Sequence, residues 1–337
     1  MLAGEAMSES PVTVQIDDRI RLLSAVLAMT TWPEQEQDRY PHGVHAHAKA
    51  TREYLAEDEY HPAVLAMQEL MESGLSLDAI FSYAACLNWP GLRARGGVPE
   101  WAPRQWAAQL RDFMHRTRLR DFWEQEASVW EQAAEQARRA LTGGDPLGLL
   151  SRFFGPLNAG MVFQPNLCYP SSQAIGFRWG KRLVAICPPR VAWGNNPPWP
   201  YDDAPAETYQ EAFGVYTRVL LHEHLEQHPE ETEQARRVKL PVPNTFRALY
   251  PEWFDQFAVL FISGVTALFL EQTFGKPEAD AYIMMAHKAH RFEVLPSVVE
   301  VLRRYLEDQA RGKYSVFAEY MPTFCTGLRV TEKLKKL

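Results

Sequence analysis

Val219-Leu220-Leu221-His222-Glu223-His224-Leu225-Glu226-Gln227-His228 is the stretch on which the fold and chemistry of this chain turn. It falls late in a helix that begins at Pro205-Ala206-Glu207, since Pro and Glu both suit a first helical turn. The helix runs through Phe213, Tyr216, Val219 and Leu220 toward His228, and Pro229 ends it or starts another, because the residue before a proline is pushed out of helical geometry. A metal-hydrolase helix carries His at i and i+4, which hold the ion, and Glu at i+1, which acts on the bound water. Here the i+4 residue is Glu226.

At 3.6 residues per turn, His222 and Glu226 share a face one turn apart, with Glu223 about 100° round from His222. Carboxylate oxygen binds zinc as imidazole does, so a His-Glu-x-x-Glu site is chemically possible. It is less positive than a two-histidine site, which weakens the metal's effect on its water. His224 and His228 form a second i, i+4 pair on roughly the opposite side; the expectation for them is polar surface near a helix C-terminus, where protonated His suits the dipole.

Working outward, the 337 residues are 46% hydrophobic and 23% charged, the balance of a folded globular chain. A net charge of −7, with Lys and Arg interspersed among acids, argues against a nucleic-acid surface. The apolar run Leu22 to Met29 is too short and wrongly flanked for a signal peptide, and no run of the length a membrane helix needs is expected. Cys86, Cys168, Cys187 and Cys325 form no CxxC pair and are expected to be reduced thiols. These features predict a cytoplasmic protein with no nucleic-acid or membrane partner.

The pattern divides the chain into a flexible N-terminus at 1–16, a helical region at 17–141, a region at 142–330 with a small sheet and the His-Glu helix, and a basic tail at 331–337. Helices are predicted from Ile20 to Met29, stopped by Trp32-Pro33, then from about His42 to Ala56, from His61-Pro62 to Ser73-Gly74, and from a Ser76 cap through Leu87. Pro103 to Phe113 and one long segment from Leu119 to Leu141 complete the helical half. Short apolar runs at Gly160 to Phe163, Ile175 to Trp179 and Leu183 to Cys187 read as strands, with Gly180-Lys181 as a hairpin turn. Later helices are predicted from Trp253 to Phe274, Pro277 to His290 and Ser297 to Ala310. The fold class that follows is predominantly helical α+β with a small antiparallel sheet.

Several segments together resemble the gluzincin-like zinc metallopeptidases, in particular a bacterial branch with an N-terminal helical region, a small sheet and a helix bearing a His-Glu-Phe-Ser-His-like sequence. They are Arg21-Leu22-Leu23-Ser24-Ala25-Val26-Leu27, Tyr60-His61-Pro62-Ala63-Val64, Leu75-Ser76-Leu77-Asp78-Ala79-Ile80, Phe153-Phe154-Gly155 and Leu221-His222-Glu223. The resemblance implies that His222 is a zinc ligand and Glu223 the general base. It puts the second ligand on Glu226, where the family has His, and the third on Asp255 of the next long helix, where the family has Glu.

His287 and His290, at i, i+3, are possible accessory groups for an oxyanion. His42, His45 and His47 cluster without an acid to complete a set, and Trp193, Trp199 and Trp253 are candidates to line a cleft. Two functions follow. One is a zinc peptidase that aligns an extended peptide on the sheet edge. The other is a catalytically inactive relative, a binding or structural protein whose site has lost its metal.

Overall fold

The structure, a computed structural model, describes residues 11–290 and 292–330. The chain forms two compact units. The first comprises Val12–Thr142 and Gly160–Ala212; the second contains Gly143–Ala159 and the chain from Phe213 onward. The sheet therefore belongs with the N-terminal helices, whereas the sequence grouped it with the His-Glu helix. The basic tail at 331–337 and residues 1–10 lie outside the described residues.

The first unit opens with β1 (Val12–Val14), which falls inside the segment expected to be flexible. In α1 (Asp18–Ala28) the Asp17 carboxylate accepts from the Arg19 N–H at 2.9 Å, a side-chain N-cap. Ile20, Leu22, Leu23, Ala25, Val26 and Leu27 are all buried, so α1 is a core helix with Arg21 as a charged residue among them. Trp32-Pro33 starts α2 (Trp32–Arg39) instead of merely stopping α1, because a proline in the first turn sacrifices an N–H that has no partner there anyway. Histidine rings cap the next pair, α3 (Ala46–Tyr54) through His45 Nδ1 and α4 (Pro62–Glu72) through His61 Nδ1. Ser76 caps α5 (Leu77–Ser82), as its position before an apolar run requires.

Past a loop, α6 (Trp106–Arg116) leads to α7 (Leu119–Gln125) and α8 (Ala127–Ala140). The single helix expected from Leu119 to Leu141 is thus broken at Glu126, whose φ of −96° and ψ of 11° leave helical geometry. That break puts the Glu126 carboxylate on His47, which helix propensity alone does not foresee.

The sheet is mixed, not antiparallel. Its order is β1, β2 (Gly160–Pro165), β4 (Arg182–Cys187), β3 (Ile175–Trp179). β1 and β2 are parallel, as are β2 and β4; only the β3–β4 hairpin, turning on Gly180 with φ of 56°, is antiparallel. Unbroken apolar runs such as Leu183-Val184-Ala185-Ile186 suit parallel strands buried on both faces. Gln164, fully buried at the end of β2, accepts the Asp17 N–H at 2.7 Å and ties the sheet to the start of α1.

In the second unit, α9 (Pro146–Phe154) begins at Asp145, whose carboxylate accepts the Gly148 N–H at 2.8 Å. α10 (Pro205–Gln227) begins in the first unit, and its part from Phe213 on belongs to the second. α11 (Pro229–Arg236), α12 (Asn244–Leu249), α13 (Trp253–Phe274), α14 (Lys276–His290), α15 (Leu295–Ala310) and α16 (Met321–Gly327) follow. α13 is, contrary to expectation, long and apolar enough to cross a membrane; here it is the core helix of its unit, with Phe257, Leu260, Phe261 and Val265 fully buried. Gly264 lets α15 approach it, since a Cβ there would collide with Val298 Cγ1. Phe153, Phe261, Tyr305 and Phe317 form an aromatic cluster with ring centroids 4.5 to 5.9 Å apart.

Candidate functional site

The end of α10 carries the residues that the sequence singled out. His222 Nδ1 lies 3.3 Å from Glu226 Oε1, and the two side chains are 62% and 68% exposed. Two ligands of one tetrahedral zinc, each about 2.0–2.1 Å from it, stand about 3.3–3.4 Å apart, so the pair by itself has ligand spacing. A catalytic zinc needs three protein ligands. Among the described residues no three His, Cys, Asp or Glu side chains form a metal-holding group, so Asp255, exposed in the first turn of α13, does not complete a set with His222 and Glu226. The donor set in place does not fit a resident zinc.

Around the pair, the His222 ring meets Phe254 edge-on at 5.9 Å between centroids. Glu223 is half-buried and is not free. His287 is half-buried on α14; the His290 side chain lies outside the described residues. Trp253 stacks on Phe257 at 5.0 Å, Trp193 is exposed, and Trp199 lines a small cavity with Tyr201.

His224 corrects an expectation. It is 4% exposed, edge-on to Phe154 at 5.3 Å, with Nε2 lacking any hydrogen-bond partner. Burial first, and His228 at 4.5 Å second, push its pKa down to about 4. It is a neutral core histidine, not a protonated ring at the helix end, because it faces apolar side chains.

A second constellation, in the first unit, draws on residues far apart in sequence. His47 is 1% exposed and its Nδ1 lies 2.9 Å from Glu126 Oε2. Trp130 Nε1 donates to His47 Nε2 at 2.9 Å. Nε2 therefore carries no proton, and Nδ1–H donates to Glu126, which fixes one neutral tautomer. Burial lowers the His47 pKa despite the opposing pull of Glu126. The ring also stacks on Phe122 at 5.6 Å. With both nitrogens occupied, His47 is a positioning residue and not a base.

What it positions is Trp130, and through it Arg21. The Arg21 guanidinium lies 4.5 Å from the Trp130 ring centre and 4.3 Å from that of Trp123, a cation held between two indoles. Its Nη1 donates to Asp18 at 3.2 Å, while Nε and Nη2 are buried without acceptors. Trp123 Nε1 is likewise buried and unpartnered. Each such orphaned donor costs about 1–3 kcal/mol, and desolvation lowers the Arg21 pKa.

The sequence signals for this cluster are an arginine inside an apolar helix, and two tryptophans seven residues apart on one amphipathic segment. The acid that completes the His47 set sits 79 positions away, beyond any local motif. Comparisons with family models, with curated proteins and with solved structures found nothing that matches this chain.

Proposed function

We propose that this chain is a cytoplasmic binding protein that works without a metal, the inactive one of the two roles set out above, and not a zinc peptidase. The observation that supports it is the isolation of the His222–Glu226 pair, which has ligand spacing but no third ligand beside it among the described residues. Two exposed donors hold zinc far less firmly than three convergent ones fixed by hydrogen bonds to their outer atoms. Without a resident ion, Glu223 has no metal-bound water from which to take a proton. On this account the likeness to metallopeptidases records where His222-Glu223 came from, and the working surface lies elsewhere.

Elemental analysis of the chain, purified without chelator or histidine tag and then dialysed against zinc, tests the proposal. Zinc far below one ion per chain is expected. Stoichiometric zinc that disappears in His222→Ala would overturn it.

A further inference from the structure

In the second unit a groove of about 280 Å³ lies between the end of α10, α11 and the start of α13, lined by Leu225, Glu233, Arg236, Glu252, Trp253 and Phe254. Its walls are tied to one another. The Thr232 hydroxyl donates to the His228 carbonyl at 2.7 Å, with the Leu225 carbonyl at 3.2 Å, which fastens α11 to the end of α10. Trp253 Nε1 donates to the Val238 carbonyl at 3.1 Å, which fastens the start of α13 to the chain just beyond α11. The volume is at the lower edge of the range of about 300–1,000 Å³ usual for small-molecule sites, so the groove suits one or two side chains of a molecule that runs past it.

The groups that would make contact have surface to offer. Phe254 is 38% exposed, a large apolar ring left outside the core. Trp253 is half-buried, with its N–H spent on Val238 and its ring stacked on Phe257 at 5.0 Å, so what it presents to the groove is apolar. The Glu233 side chain is 58% exposed and meets Arg236 only at 4.0 Å, a contact worth almost nothing in water. Glu252, exposed at the start of α13, makes no side-chain cap hydrogen bond to that helix and no ion pair among the described residues. Glu230, Glu231 and Asp255 suit the first turns of their own helices and need no ligand, but they add to the negative potential over the groove.

We infer that this groove docks a basic peptide segment of a partner protein, with an apolar side chain against Phe254 and Trp253 and flanking lysines or arginines on Glu233 and Glu252. Charge complementarity selects the occupant. Uncommitted carboxylates beside aromatic rings favour a cation whose alkyl stem lies on the rings. The same acids repel a nucleic-acid backbone, an anionic lipid surface and a second copy of a chain whose net charge is −7. The inference rests on the binding role proposed above by naming its partner class. The two fail separately, because zinc content reports on His222 and Glu226, while peptide titration without zinc reports on the groove.

Isothermal titration of the full chain with the peptide Leu-Lys-Lys-Leu-Lys-Lys tests it, beside Leu-Glu-Glu-Leu-Glu-Glu and Gly-Lys-Lys-Gly-Lys-Lys. The first is expected to bind more tightly than either control, and less tightly as salt is raised. Phe254→Ser, at an exposed position, is expected to weaken it about tenfold through loss of an aromatic anchor. Glu233→Gln combined with Glu252→Gln, both exposed, is expected to weaken it by a similar factor while leaving the stability of the chain unchanged. No saturable binding at millimolar peptide, equal binding of the glutamate peptide, or indifference to both variants would each overturn the inference. So would tighter binding when Lys333, Lys335 and Lys336 are all changed to Glu, which would make the chain's own basic run the occupant, or self-association abolished by Phe254→Ser, which would make it a second copy.

Discussion

The end of α10 and the stack around His47 each join a histidine to a glutamate, and they differ in what closes around the pair. His222 and Glu226 are neighbours by helical spacing, 62% and 68% exposed, with no third metal-ligating side chain grouped with them among the described residues. His47 and Glu126 meet across 79 positions, with the ring buried and both its nitrogens engaged. The first pair is legible as a motif and is structurally idle. The second has no motif at all, yet it sets the orientation of Trp130 and the placement of a buried arginine.

Breaking the buried stack has the largest expected effect. Trp130→Ala removes a 2%-exposed indole, the donor to His47 Nε2 and one wall of the Arg21 cage, and is expected to cost about 3–5 kcal/mol. Urea denaturation measures it; a loss below about 1 kcal/mol would mean that the stack is not a structural centre.

Next in size is the effect of pH through His224. Its folded pKa of about 4 lies below the ordinary 6.5, so between those values the unfolded chain binds the extra proton. Stability is fully present above pH 6.5 and falls as pH drops toward 4, by about 3 kcal/mol in all. Buried His47 and half-buried His45 act in the same direction. Urea midpoints at about pH 7 and 4.5 are expected to lie closer together in His224→Leu than in the parent chain. An unchanged gap would show that His224 is not the neutral core group described.

The smallest effect belongs to the exposed pair. Glu226→Gln is expected to change stability by no more than about 0.5 kcal/mol, the value of a solvated i, i+4 pair. A larger loss would sharpen the comparison the other way, by showing that the end of α10 is locked into something.

How much the sequence disclosed follows the range of the interactions involved. Helices and caps set within a few residues, such as Ser76 before α5 and Pro205 opening α10, were visible, and so was the predominantly helical α+β class. The mixed character of the sheet was not, because β2 pairs directly with β4, the strand after next in sequence, and each reads alone as a short apolar run. The Glu126 break was hidden inside a segment of high helix propensity, where only its tertiary partner makes leaving the helix worthwhile. The buried state of His224 was missed because one face of a helix was assigned to solvent by its polarity, when Phe154 covers it.

The most direct test of the contrast between the two pairs is a calorimetric zinc titration of the full chain beside Glu226→Gln. The account predicts no stoichiometric zinc isotherm in either protein. A one-to-one isotherm in the parent chain, abolished in Glu226→Gln, would contradict it and return the chemistry to α10.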